Sequence, residues 1–197
     1  MIKRLFDVIF SFFGLILVSP LLLLLAILIK LDSPGPIFYR GKRVGKDGKE
    51  FRIFKFRSMV ENAEELGGSS TADDDPRLTR IGKFLKKYKL DELPQLINVL
   101  KGEMSLVGPR PEVPLYIDMM SEKERVIILS VKPGMTDLAS LWDFREEEVL
   151  KGSPDPEKTY MEKIRPTKIK LQLDYVKNRS FWLDLKIILK TILKIFQ

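Results

Sequence analysis

The chain of 197 residues contains neither cysteine nor histidine. That double absence removes thiol nucleophiles, disulfides, histidine general bases and every His/Cys zinc site. Any catalysis therefore rests on carboxylates, lysine, arginine, serine or tyrosine. The redox compartment stays undetermined, because a chain without thiols is indifferent to it. Acidic charge is in short supply too: 34 Lys and Arg face 27 Asp and Glu, leaving +7. Such a balance favours an anionic partner, whether phosphate, nucleotide, lipid headgroup or nucleic acid. Internal repeats and low-complexity linkers are missing. So are helix-turn-helix and RNP-like patterns, which makes no nucleic acid the expectation. The length suits one domain with a real core, beside whatever the first thirty residues do.

What is present begins with a long apolar run, Leu5 to Lys30. As a straight helix, Leu5 to Leu31 would measure about 40 Å at about 1.5 Å per residue, against a hydrocarbon core of roughly 30 Å. The run exceeds a signal-peptide h-region and no small-residue cleavage site follows, so it reads as retained. Ser19 and Pro20 interrupt it. Pro20 cannot donate to the Ile16 carbonyl, and Ser19 can return its hydroxyl to a carbonyl one turn back. Lys3 and Arg4 precede the run while Lys30, Arg40, Lys42 and Arg43 follow it, so both ends look cytoplasmic. A re-entrant hairpin meets that condition. A kinked transmembrane helix and a buried core helix remain open on these signals alone. Asp7, one turn from Arg4, is expected to pair with it.

Beyond Lys30, turn residues alternate with aromatic and β-branched runs, predicting a hairpin over Ile37 to Met59 with its turn at Gly45 to Gly48. Residues 61 to 76 read as a helical turn and a mobile loop. From Thr79 to Lys101 the apolar spacing is helical, broken where Pro94 fits the first turn of a new helix. The prolines of residues 108 to 114 demand a rigid extended connection. One helix of about a dozen residues is expected after it, ending before Val131. At the C-terminus, Lys186, Lys190 and Lys194 fall on one helical face with apolar residues on the others. An interfacial helix on anionic lipid is expected there, with a core-docked helix as the alternative. Tyr175 and Trp182 read as interface anchors. The fold class is α+β, mostly helical.

Chemistry is densest at residues 90 to 112. Asp91 and Glu92 lie at a helix N-terminus beside Lys86, Lys87 and Lys89, where positive charge and the helix dipole favour ionisation. Ionised carboxylates serve as nucleophiles or Mg²⁺ ligands, although such a pair is also an ordinary cap. Lys55, Arg57, Arg77, Arg80, Lys86 and Arg110 are the candidate phosphate donors. Arg110 stands out because Pro109 and Pro111 stiffen its backbone.

The stretches FKFRSM, DDPRLTRIGKFLKKYKLDELPQLINVLKGEMSLVGPRP, VKPGMTDLAS and DYVKNRSFWLDLKIILKT, with the Ser-Pro break, resemble the bacterial sugar transferase family, the monotopic polyprenyl-phosphate phosphoglycosyl transferases. The resemblance runs from about Lys3 to Thr191. It implies transfer of a sugar 1-phosphate from a UDP-sugar to undecaprenyl phosphate with release of UMP and a requirement for Mg²⁺, as the first membrane step of glycoconjugate assembly. The family's Asp-Glu dyad maps onto Asp91, the nucleophile of a ping-pong reaction through a covalent phosphosugar intermediate, and Glu92, a metal ligand or base. Lys55 and Arg110 match positions lining the phosphate site. The Ser19-Pro20 break implies a re-entrant helix, giving a membrane hairpin at 1–31 and a catalytic domain at 32–197. The implied location is the cytoplasmic face of the bacterial inner membrane. Anionic lipids and downstream glycosyltransferases are the further partners, and the oligomeric state stays open. Asp137 and Ser140 stand where many relatives carry Gly and Gln, which leaves the sugar open. The chain lacks the multi-spanning N-terminal region of larger relatives and so resembles a minimal catalytic unit. The rival class is a non-enzymatic membrane adaptor whose basic surface docks anionic lipid.

Overall fold

A computed structural model describes residues 2–66, 71, 72, 74–142 and 150–195. Its longest element is α1, Ile2–Asp32, a single helical run that passes through Pro20. The Ser19 hydroxyl donates to the Ile16 carbonyl at 2.8 Å. That carbonyl is the one Pro20 leaves without its N–H, so the local hydrogen-bond deficit is answered one residue away. One face of α1 buries Asp7, Ser11, Leu25 and Ile29. The other is bare: Leu17 is 82% exposed and Leu31 79%.

Polar contacts tie both ends of α1 to the rest of the chain. Near its start, Arg4 donates to the Val99 and Leu100 carbonyls at 2.6 and 2.9 Å. The expected Arg4–Asp7 pair is replaced. Asp7 instead accepts from the Ser105 hydroxyl at 2.9 Å and the Leu106 N–H at 3.1 Å. Burial explains the exchange, since a carboxylate withdrawn from water needs fixed donors. At the other end Asp32 accepts from the Ile81 N–H at 3.0 Å.

The predicted hairpin forms in two nested pieces. Strand β1, Phe38–Tyr39, pairs antiparallel with β4, Lys55–Phe56, and β2, Lys42–Val44, pairs with β3, Glu50–Arg52. The two pieces share one register, with Phe38 opposite Phe56 and Lys42 opposite Arg52. The turn falls at Gly45 to Gly48, where Asp47 and Gly48 take positive φ. A helical turn, α2, Ala63–Leu66, follows; residues 67–70 and 73 of the expected loop lie outside the described residues.

Helix α3, Arg80–Lys87, is capped by Thr79, whose hydroxyl accepts from the Gly82 N–H. Gly82 is required there, because a Cβ would sit 1.8 Å from the Ser58 carbonyl oxygen. Helix α4, Gln95–Lys101, starts directly after Pro94 and ends at Gly102 in the left-handed region.

Two features depart from expectation. Strand β5, Ser105–Val107, pairs in parallel with β6, Gly134–Thr136. Gly108 and Gly134 let these backbones touch, since a Cβ on Gly134 would lie 2.0 Å from the Gly108 nitrogen. The single helix expected after residue 114 is two, α5, Pro114–Asp118, and α6, Glu122–Leu129. Ser121 breaks them apart by forming a capping box with Glu124.

Next comes α7, Leu138–Trp142. A helical run opens at Pro156–Thr159, passes through a π turn at Tyr160–Ile164 and continues as α8, Arg165–Asn178; α9, Phe181–Ile195, closes the chain. Helix α9 combines both expected roles. Asp184 and Ile187 are buried against the body, whereas Trp182, Leu189 and Leu193 stand opposite, 78%, 62% and 63% exposed. Of the expected lysine stripe, Lys186 and Lys190 are exposed, while Lys194 turns in to the Leu141 carbonyl. Tyr175 is no interface anchor: it is buried, and its hydroxyl donates to Asp184 at 2.7 Å. The chain is mostly helical with a few small strands.

Candidate active site

The centre forms where three segments meet. The first is the turn between α3 and α4. Lys89 adopts a left-handed conformation, φ 54°, which redirects the chain into a 3-10 turn, Leu90–Glu92. Leu90 packs into the cluster of Leu25, Ile29, Phe56 and Leu85. Asp91 is the next residue, so the acidic pair sits one position from the contact with α1.

The second segment is β4, which carries Lys55. Asn98 on α4 holds the hairpin in place: its Oδ1 accepts from the Phe54 N–H at 2.8 Å and its Nδ2 donates to the Arg52 carbonyl at 3.0 Å. Sequence reading missed Asn98, since the hairpin atoms it binds are backbone groups remote along the chain. The third segment is the proline-stiffened exit of β5, which carries Arg110.

Glu92 receives both cations on one oxygen. Lys55 Nζ donates to its Oε1 at 2.9 Å and Arg110 Nη2 at 2.6 Å. Arg110 Nη1 also donates to the Met135 carbonyl, fixing the guanidinium between the acidic turn and β6. Asp91 is treated differently. Lys55 lies 3.9 Å from its Oδ2, and its buried Oδ1 has no hydrogen-bond partner. A native buried carboxylate oxygen in that state calls for a specific completing group.

The two carboxyls therefore diverge, rather than ionising alike as expected. Burial pushes Asp91 above the usual carboxylate range, with Lys55 opposing and the Glu92 charge adding to the rise. Burial also opposes ionisation of Glu92, but the Arg110 and Lys55 charges and their hydrogen bonds overcome it and hold its carboxyl well below that range. Separation of this kind between neighbouring acids is how one site divides roles between them.

A cleft of about 1270 Å³ opens over this centre, lined by Lys55, Lys86, Lys89, Asp91, Glu92 and Arg110, and by hairpin cations including Arg40, Lys42 and Arg43. Of the other candidates, Arg57 and Arg77 also line the cleft and are at the same time engaged in internal hydrogen bonds. Arg57 donates to the Ser33 carbonyl at 2.8 Å and to the Pro34 carbonyl, anchoring the end of α1. Arg77 pairs with Asp75, Nη2 to Oδ2 at 2.7 Å, and donates to the Ala63 carbonyl. Arg80 is exposed in the first turn of α3 and is not among the cleft's lining residues. Among the described residues no three acidic side chains form a metal-binding group. Mg²⁺ commonly uses one or two carboxylates with substrate phosphates and waters. Asp91, with its unpartnered Oδ1, beside Glu92, fits that donor set.

A helix long and apolar enough to cross a membrane lies beside a cation-lined cleft that holds two carboxylates. The chain belongs to the bacterial sugar transferase family, which it matches over residues 1–197. It is 42% identical over 195 residues to a UDP-N-acetylgalactosamine-undecaprenyl-phosphate N-acetylgalactosaminephosphotransferase of Aeromonas hydrophila, covering 97% of this chain and 43% of that protein. It is 38% identical over 198 residues to a UDP-glucose:undecaprenyl-phosphate glucose-1-phosphate transferase of Escherichia coli K12, covering 100% of this chain and 40% of that protein. The chain thus spans about two fifths of the length of these relatives. It is also 38% identical over 203 residues to the exopolysaccharide production protein PSS of Rhizobium leguminosarum, covering 97% of this chain and 93% of that protein.

Proposed function

We propose that the protein transfers a sugar 1-phosphate from a UDP-sugar to undecaprenyl phosphate, releasing UMP, as the first membrane step of glycoconjugate or exopolysaccharide assembly. The observation that carries this reading is the unpartnered Asp91 Oδ1 at a cleft walled by cations. A carboxylate oxygen of Asp91 attacks the donor's β-phosphorus; the bond from that phosphorus to the bridging oxygen breaks, and UMP departs with the electron pair. A phosphate oxygen of the lipid then attacks the same phosphorus, releasing the aspartate and forming the lipid diphosphosugar. Lys55, Lys86 and Lys89 offset the burial that disfavours the Asp91 carboxylate. Arg110 and Lys55, held in place by Glu92, present cationic donors to the phosphoryl oxygens.

Mg²⁺ would be held by Asp91 and Glu92 with the donor's phosphates and would neutralise charge there. A carboxyl held well below the usual range is a weak proton acceptor, which favours Glu92 as ligand and positioner over Glu92 as base.

The same reading places the chain on the cytoplasmic face of the bacterial inner membrane, with α1 entering and returning. Supporting it, contacts on a single body hold α1 at both ends, through Arg4 and Asp7 at one and Ile29 and Asp32 at the other. A helix so tied cannot easily present its ends to opposite compartments. The bare faces of α1 and α9 meet where Phe6 packs edge-on against Phe181 at 5.3 Å, making one apolar surface suited to lipid. UDP-sugar, undecaprenyl phosphate and anionic lipids are the partners, and downstream glycosyltransferases the consumers of the product. A simple adaptor has no use for an unanswered buried carboxylate.

The test is UMP release in detergent with undecaprenyl phosphate across a panel of UDP-sugars, UDP-N-acetylgalactosamine and UDP-glucose first. Turnover with at least one sugar that disappears in Asp91→Asn is expected; equal turnover in that variant would refute the reading.

A further inference from the structure

The cleft has two chemically different walls. On the hairpin side stand Arg40, Lys42, Arg43, Arg52 and Lys55. Across from Lys55 at Glu92, Arg110 reaches the Met135 carbonyl, and beyond it, with Lys168 the cation whose charge reaches Asp137, the lining carries hydroxyls, those of Thr136, Ser140 and Thr191. These groups are held in fixed orientations. Thr136 Oγ1 and Thr191 Oγ1 lie 2.8 Å apart, joining β6 to the C-terminal helix α9. The Ser140 hydroxyl and N–H both donate to Asp137 Oδ1, at 2.8 and 2.7 Å. Asp137 is itself fully buried, its Oδ2 without a partner, and is not one of the cleft's lining residues. With its proton committed to Asp137, the Ser140 oxygen is left to accept.

We infer that Thr136, Ser140 and Thr191 form the recognition surface for the sugar hydroxyls of the donor, with Asp137 as a positioning residue acting through Ser140. This rests on the transfer reading above and adds to it a division of the cleft: the cationic hairpin wall takes the nucleotide diphosphate, and the hydroxyl wall takes the sugar. The geometry suits the donor's own layout. The sugar is bonded to the phosphorus that Asp91 attacks, so it must lie close to the acidic turn yet apart from the departing nucleotide. The hydroxyl wall begins at the residue after Met135, the second hydrogen-bond partner of Arg110. A neutral hydroxyl set discriminates epimers by hydrogen bonds that a wrong sugar leaves unmade, and has little to offer a diphosphate that five nearby cations would bind far better.

The experiment compares wild type, Thr136→Val, Ser140→Ala and Thr136→Ser in kcat/KM over four UDP-sugars: glucose, galactose, N-acetylglucosamine and N-acetylgalactosamine. UDP inhibition is measured beside it, since UDP carries no sugar. Thr136→Val and Ser140→Ala are each expected to lower kcat/KM for the preferred sugar by about tenfold, the worth of one hydrogen bond. They should compress the ratio between epimers while leaving the UDP inhibition constant within about twofold. Thr136→Ser, which keeps the hydroxyl, should retain the wild-type ratio. An unchanged ratio in both hydroxyl-deleted variants, or a UDP constant that rises in step with the loss, would overturn the assignment. Failure of the transfer reading itself looks different: wild type would then release no UMP with any of the four sugars.

Discussion

The acidic turn at Leu90–Glu92 and the outward face of α1 are both incomplete surfaces, and they are incomplete in opposite ways. At the turn, Glu92 has two cationic partners on one oxygen while its neighbour Asp91 keeps a buried oxygen with none. Along the outward face of α1, the carbonyl freed by Pro20 is answered by Ser19, and what is left over is apolar area around Phe13, Leu17, Leu23 and Leu31. A patch of that kind is completed by lipid and the turn by a polar ligand. Leu90 joins the two in space, since it packs against the buried side of α1 at Leu25 and Ile29 and is followed directly by Asp91. Under the proposed transfer, the contrast is what brings a water-soluble donor to a lipid-bound acceptor.

The largest way to break the comparison is at Asp91. Asp91→Asn should lower UMP release by roughly 10³-fold or more, as expected for loss of a covalent nucleophile. The same change should leave the melting temperature unchanged or higher. The sign follows from burial. A folded-state pKa raised above the unfolded value gives stability that is present at low pH and lost as pH rises through the raised value, so at neutral pH the ionised side chain is a cost. A large fall in melting temperature would mean that Asp91 is a structural group.

Glu92 should behave in the reverse manner. Glu92→Gln leaves Lys55 and Arg110 without their carboxylate and should cost activity about 10²-fold, with a lower denaturant midpoint at pH 7. Its depressed pKa contributes stability that is present above the ordinary glutamate value and lost as pH falls through the depressed one. The midpoint gap between wild type and variant should hold down to about pH 4.5 and close only well below it. A gap that is constant across pH would contradict the ion-pair account.

A smaller effect is expected where α1 meets the body. Asp7→Ala leaves the Ser105 hydroxyl and the Leu106 N–H without an acceptor, and should cost about 1–3 kcal/mol of stability in detergent. Smallest in energy is the test of topology. Single cysteines placed before Leu5 and after Lys30 should both react with an impermeant thiol reagent from the cytoplasmic side. Labelling from opposite sides would show that α1 spans.

The two regions also differed in how far the sequence disclosed them. The hairpin was readable because alternation and the Gly45–Gly48 turn are local, and its register continues unbroken from Lys42–Arg52 to Phe38–Phe56. Helix α4 was readable from Pro94, and the capping box that splits α5 from α6 was visible as Ser121 and Glu124 but not used. The convergence of Lys55, Glu92 and Arg110 was suggested by family resemblance. Spacing alone could not bring together residues from three segments. The β5–β6 pair was missed because three-residue strands show no period and their pairing is remote. Arg57 and Arg77 line the cleft, but their internal partners were not legible for a related reason: an arginine bound to backbone carbonyls or a neighbouring aspartate looks, in sequence, like one bound only to phosphate. Asp7 shows the same limit, since its proximity to Arg4 along the helix was outweighed by donors on β5.

The account stands most directly on the fate of the Asp91 carboxylate during turnover. Intact-mass measurement after incubation with a UDP-sugar substrate and Mg²⁺, without lipid acceptor, should show a gain of one sugar phosphate. Proteolysis should place it on the peptide containing Asp91, and added undecaprenyl phosphate should discharge it. UMP release that requires both substrates together, with no adduct at any time, would contradict a covalent aspartyl intermediate.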